Sequence, residues 1–218
     1  LPKYSPDGKE VAYWENRNIL KVYNIASKQS RTLIPAGHNY SYADGDIDFD
    51  WSPDGKYLLA NDEYFGFGGS HAGLLKADGT GTIIHPVNSG FGENNLKWAM
   101  NGKGITWANH REGRRSLAFQ GNREVDIYAL FFDQEAYDKY KLSKDEYTLL
   151  KEKEDKMKTD KATLDSAAKK AGEKRDSALK KWSPDLTNLD DRKIRLTINS
   201  SSISDYALTP DASKLYYL

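Results

Sequence analysis

Ile47, Phe49 and Trp51 alternate with Asp46, Asp48 and Asp50. A period of two predicts a strand with one buried and one solvated face. The strand runs into Ser52-Pro53-Asp54-Gly55-Lys56. There proline presets φ, aspartate can bond its own backbone, and glycine takes the left-handed residue that returns the chain. Residues 57–61 resume as a strand, so the element is a hairpin.

The hairpin recurs. Tyr4-Ser5-Pro6-Asp7-Gly8-Lys9 is the same string 47 residues earlier, and Trp98-Ala99-Met100-Asn101-Gly102-Lys103 is a worn copy 47 residues later. Leu208-Thr209-Pro210-Asp211-Ala212-Ser213 is a fourth copy, 110 residues further on. Just past the turn one column is apolar in all four copies: Val11, Leu58, Ile105 and Leu215. Each unit has room for four strands. The first unit offers 10–15, 19–25 and 30–34, followed by the next inner strand at 47–51. The second offers 57–61, 72–77 and 82–85, and the third 96–99, 104–108 and 126–132. Four-stranded units repeated at this period predict an all-β fold, a β-propeller fragment of antiparallel blades, about three and a half of them.

The spacing from the third copy to the fourth exceeds the repeat by 63 residues. The excess is placed between the third and fourth strands of one blade. This divides the chain into blades at 1–133, a helical insertion at 134–191 and the propeller's continuation at 192–218. The insertion carries 14 basic and 14 acidic residues in 58, the pattern of a solvated helical face. Ser143-Lys144-Asp145-Glu146 fits a capping box. Leu150, Met157, Leu164, Ala171 and Ala178 recur every seven residues, but the companion positions are only partly apolar. The expectation is one long exposed helix or a helical hairpin, with Gly172 as the place to break. Trp182-Ser183-Pro184-Asp185 echoes the repeat, lacks its glycine and falls off register, and reads as a return loop.

Composition narrows the function classes. The 32 basic and 32 acidic side chains cancel, which is unlike the footprint of a nucleic-acid binder. With no cysteine, disulfides and thiolate chemistry are excluded. No apolar run is long enough for a membrane span. The chain opens in mid-repeat, without an initiator methionine, and reads as a piece of a longer protein.

Trp-Ser-Pro-Asp-Gly-Lys followed by an apolar strand resembles the propeller repeat of TolB and the tricorn-type peptidases. Two later stretches narrow the resemblance: Asp126-Ile127-Tyr128-Ala129-Leu130-Phe131-Phe132-Asp133-Gln134-Glu135-Ala136, and Asp185-Leu186-Thr187-Asn188-Leu189-Asp190-Asp191-Arg192 through Leu196-Thr197. Together they are similar to the propeller half of bacterial tricorn protease homologues. The resemblance implies a serine peptidase whose catalytic serine and histidine lie outside this sequence, with a propeller that gates or guides peptide and is itself inactive. It implies a peptide or protein substrate and the remaining peptidase domains as partners. It also implies a cytoplasmic location, or a periplasmic one if the parent carries a signal peptide. The alternative is a TolB-like interaction module without enzymatic activity. A propeller glycosidase is a weaker third reading.

Candidate chemistry is sparse. His38, His71, His85 and His110 lack metal-ligand spacing, and Gly69-Ser70-His71-Ala72-Gly73 is not a nucleophile elbow. Gly66-Phe67-Gly68-Gly69 lacks the lysine of a phosphate loop. The carboxylates of 44–50 share a strand face, and Asp50 is expected to bond the neighbouring turn. No catalytic residue, metal or cofactor is expected. Blade geometry places the repeated turns and the insertion at one face and the loops 37–46, 63–71, 87–94 and 109–126 at the other. Long loops on a rigid scaffold are where binding concentrates. The candidate peptide- or partner-binding residues there are Tyr42, Tyr64, Phe65, Phe67, His71, Phe91, Arg111, Arg114 and Arg115. Open blade edges add self-association as a further expectation.

Overall fold

The computed structural model describes residues 1–39, 41, 43, 47–63, 69–117, 123–167 and 183–218. It divides into two compact units, Leu1–Phe132 with Leu186–Leu218, and Asp133–Asp185.

The first unit is a β-propeller fragment. Blade one pairs β1 (Lys3–Tyr4), β2 (Glu10–Glu15), β3 (Ile19–Asn24) and β4 (Gln29–Ile34) in sequence order. Blade two pairs β5 (Phe49–Trp51), β6 (Tyr57–Asp62) and β7 (His71–Lys76). Blade three pairs β8 (Asn94–Ala99), β9 (Gly104–Asn109), β10 (Asp126–Phe131) and β11 (Lys193–Arg195). The half blade pairs β12 (Tyr206–Leu208) with β13 (Leu215–Tyr217). Adjacent strands of every sheet are antiparallel, so sequential hairpins build each blade.

The repeated turn is built alike wherever its sequence survives. Ser52 Oγ donates to Asp54 Oδ1 at 2.6 Å, the same Oδ1 accepts from the Lys56 N–H at 3.1 Å, and Gly55 has a φ of +71°. In blade one Ser5 Oγ donates to Asp7 Oδ1 at 2.7 Å and Lys9 N–H to that oxygen at 3.1 Å. The turns also touch one another. A Cβ on Gly55 would lie 3.4 Å from the Pro6 ring, and one on Gly102 would lie 3.0 Å from the Pro53 ring. In the worn copy, without proline, Met100, Asn101 and Gly102 all take positive φ.

The core lies between blades. Ala12, Leu20, Val22 and Ile34 of blade one pack against Phe49, Trp51, Leu58, Ala60, Leu75 and Ala77 of blade two. Fully burying one such aliphatic or aromatic side chain is worth about 1.5–3 kcal/mol. The apolar column behaves as its neighbours dictate. Leu58 and Ile105 are buried, Leu215 packs partly against Ala108, Ile127 and Tyr206, and Val11 is half-buried on a groove with Tyr13 and Tyr23.

Two local expectations fail. Residues 82–85 are not a fourth strand; they make a single bridge, Leu74 to Ile84. Gly79 and Gly81 bend the chain through positive φ, and Pro86 brings no N–H to extend a ladder. Nor does Asp50 bond its turn. The Lys3 ammonium lies 3.1 Å from Asp48 Oδ1 and 3.7 Å from Asp50 Oδ1, so a cation from the previous blade meets these carboxylates. Asp44 and Asp46 lie outside the described residues.

The second unit holds α1 (Gln134–Lys141) and α2 (Lys144–Ala167). The Asp133 carboxylate caps α1 by accepting from Glu135 N–H at 2.9 Å and Ala136 N–H at 3.4 Å. Ser143 and Glu146 form the capping box: Ser143 N–H donates to Glu146 Oε2 at 2.9 Å, and Glu146 N–H to Ser143 Oγ at 3.3 Å. Met157 is exposed, as a weak seam implies. The expected break at Gly172 and the helix end at Trp182 lie outside the described residues. In the first unit, Arg192 closes the excursion by donating Nη1 to the Phe132 carbonyl at 3.2 Å.

Candidate functional site

Strand ends decide which side chains meet. β6 ends at Asp62 and β7 begins at His71, and these two residues are register partners. Both lie at the end of blade two away from the Ser52–Gly55 turn. The links into and out of the blade bring in His38, His85, Ser89 and Glu93.

They form a buried polar network. Asp62 is fully buried; its Oδ2 meets His85 Nε2 at 2.8 Å and its Oδ1 meets His38 Nδ1 at 3.3 Å. Burial works against its charge. The hydrogen bonds from His85 and then His38 more than offset that, holding the carboxyl below the usual aspartate range. Glu93, also fully buried, meets His71 Nδ1 at 3.2 Å, accepts from Ala72 N–H at 3.3 Å and bonds the Ser89 hydroxyl. The His71 and His85 rings meet edge to face at 6.5 Å. The network continues into blade three: Asn109 Nδ2 donates to Ser89 Oγ at 3.3 Å, and Asn109 Oδ1 accepts from Arg111 N–H at 2.7 Å.

Beyond Asn109 the surface turns cationic and aromatic. Arg111 lies 6.0 Å from the centre of the Phe91 ring, and Phe91 meets His110 edge to face at 6.1 Å. Arg115 Nη1 is 3.4 Å from His110 Nε2. Burial, with Arg115 and Arg123 nearby, holds the His110 imidazole below its ordinary range, which favours the neutral ring that can accept there. Arg114 points elsewhere and pairs with Glu124 at 2.7 Å.

Of the candidates read from sequence, Phe91, Arg111 and Arg115 therefore share one patch through His110. His71 sits in the buried network behind it, and Arg114 is spent on Glu124. Tyr42, Tyr64, Phe65 and Phe67 lie outside the described residues. Sequence reasoning missed His38, Asp62, His85, Ser89 and Glu93. No local spacing marks them, because they come from different links and strand ends. Repeat register was the one available signal, since it places all of them at blade ends opposite the turns.

Among the described residues no group of three or more histidine, aspartate or glutamate side chains could hold a metal ion, and no helix is long and apolar enough to cross a membrane. The network pairs imidazole with carboxylate, without a nucleophile in an assigned geometry. Its hydrogen bonds tie the strand ends of blade two to the links on either side and to blade three.

No protein-family model matches the sequence, and no curated protein matches it. Solved structures do. The crystal structure of the tricorn protease superposes on 94% of this chain with a TM-score of 0.55 and 8% identity. The hydrazine synthase of Kuenenia stuttgartiensis aligns with 62% of this chain and 39% of its own, at 17% identity and a TM-score of 0.38, too low to carry an argument about fold. This chain spans 18% of the length of the tricorn protease chain, and it shares the fold of that protease's propeller region.

Proposed function

We propose that this chain is the non-catalytic β-propeller portion of a tricorn-like serine peptidase, and that its loop end guides peptide substrate toward a catalytic domain elsewhere in the parent protein. The observation that carries the reading is the shared fold over 94% of this chain but 18% of the tricorn protease chain. The loop end supports it: an aromatic and arginine patch stands on a hydrogen-bonded base anchored in two blades. Partners are then a peptide or protein substrate and the remaining peptidase domains. The half-exposed face of the first blade, with Val11, Tyr13 and Tyr23 along a groove of about 750 Å³, is the second contact surface, for those domains or for another copy.

The test compares the chain with its parent on a fluorogenic peptide mixture. The reading expects no turnover by the 218 residues alone and turnover by the parent, with Phe91→Ala in the parent raising KM more than it lowers kcat. Turnover by the chain alone refutes it. A parent without a peptidase domain refutes it too, and leaves a TolB-like interaction module.

A further inference from the structure

The absent fourth strand of blade two has a chemical consequence. Between blades one and two, β4 supplies Ile34 to the shared core. Between blades two and three no such strand arrives. The 87–89 connection bounds a cavity of about 390 Å³ against the outer strands of blade three. That volume falls in the range of small-molecule pockets.

One wall is a single cross-strand row. Trp107 of β9 is the register partner of Tyr128 of β10, which is the partner of Arg195 of β11. The Trp107 and Tyr128 rings stack at 5.7 Å with an interplanar angle of 15°. Ser89, Asn109 and Arg111 complete the wall nearer the loop end.

The charge of this lining is one-sided, with Arg111, Lys193 and Arg195 against Asp190. Asn109 Oδ1 is taken by the Arg111 N–H, and the Val87 carbonyl and Asp190 Oδ1 by the Lys193 ammonium. Donors of the lining are left over. Trp107 Nε1 and the Tyr128 hydroxyl are buried without a partner. The Arg111 guanidinium makes no hydrogen bond to a described residue, and its nearest carboxylate is Glu112, 3.9 Å from Nε. Arg195 spends Nη2 on Asp126 and Ser200, leaving the rest of its fork. A cavity with an aromatic wall and two accessible arginine forks suits an acceptor-rich planar anion.

We propose that this cavity binds a small organic carboxylate, with the carboxylate on the Arg111 guanidinium and the organic body against the Tyr128 ring. The cavity shares Arg111 with the loop-end patch, but the proposal does not rest on peptide guidance, since a free acid needs only the cavity.

Benzoate is the probe, titrated into the 218-residue chain with its indole nitrogens labelled. Saturable movement of the Trp107 Nε1–H resonance, assigned with Trp107→Phe, is expected. Arg111 is solvent-exposed, so Arg111→Gln keeps the fold and weakens benzoate about tenfold, as loss of one charged hydrogen bond implies. Arg114→Gln, the same charge change on the Glu124 pair, leaves affinity unchanged. Neutral benzamide binds at least about tenfold more weakly. A capped peptide whose one carboxylate is a glutamate side chain is the second arm. Displacement of benzoate by it extends the site to acidic peptides, and no displacement restricts it to free acids. The proposal is overturned if benzoate moves no indole signal, if Arg111→Gln and Arg114→Gln weaken it equally, or if benzamide binds as well as benzoate.

Discussion

The Lys97 ammonium of blade three donates to the Asp205 carboxylate of the half blade at 2.5 Å, across 108 residues of chain. The same ammonium bonds the Tyr206 carbonyl and lies 4.7 Å from the centre of the Tyr206 ring. Blade one treats blade two alike: Lys3 bonds Asp48 Oδ1 at 3.1 Å and the Phe49 carbonyl, and lies 5.3 Å from the Phe49 ring centre. Lys3, Asp50 and Lys97 are repeat-equivalent. Where Asp50 stands at the lysine position a second contact of the repeat remains: Trp98 Nε1 donates to the Asp50 carbonyl at 3.2 Å, as Trp51 Nε1 does to the Lys3 carbonyl at 3.0 Å. Blades are thus locked at their inner strands by the lysine contact, the tryptophan contact or, between blades one and two, both.

The Asp205 lock sets an acid limit. Hydrogen bonds from Lys97, then Asn95, then the Tyr206 N–H lower its pKa to about 2. A depressed carboxylate contributes stability that is present above its unfolded value near 3.8 and is lost as pH falls toward 2. Asp205→Asn should flatten the fall in thermal midpoint between those pH values. Parallel curves for the variant and the natural chain would count against the lock.

Trp51 Nε1 donates to the Lys3 carbonyl at 3.0 Å while its ring packs in the core shared by blades one and two. Trp51→Phe keeps most of the ring and removes the donor. The loss should be about 1–3 kcal/mol in urea unfolding, from the stranded carbonyl and the smaller ring.

Ala212 occupies the glycine position of the fourth turn with a φ of +56°. A left-handed alanine costs roughly 1–2 kcal/mol. Glycine returns part of that gain through greater freedom in the unfolded chain. Ala212→Gly should therefore stabilise by about 0.5–1 kcal/mol, read as a higher denaturant midpoint with an unchanged slope.

Asp62 is the buried anchor of the histidine network. Asp62→Asn takes the carboxylate acceptor from His38 and His85, and should cost about 1.5–3 kcal/mol. The native carboxyl is held below its usual range, so its contribution is full above the unfolded value near 3.8 and declines as pH falls below it. Chemical denaturation across that range should show a smaller acid loss in the variant than in the natural chain.

The blades were legible because their signals are local. Pro53, Asp54 and Gly55 define a turn without tertiary help, and the 47-residue register carries it through the chain. The Ser143–Glu146 box was legible for the same reason. Residues 82–85 misled because their composition suits a strand, whereas the glycines before them and Pro86 after them decide the pairing. The short helix α1 was missed, although Asp133 is a strong cap, because charged residues hide its apolar face. The histidine network was illegible because His38, Asp62, His71, His85 and Glu93 meet only once two blades have stacked. Arg114 looked like Arg111 in sequence, and Glu124 separates their roles.

Peptide guidance by the loop end is the central claim, and amide chemical shifts of the isotope-labelled chain titrated with an unstructured peptide test it most directly. The predicted perturbations gather at residues 70–72, 89–93 and 109–115 and spare the turns at 5–9 and 52–56. Perturbations centred on those turns, or none at saturating peptide, would contradict it.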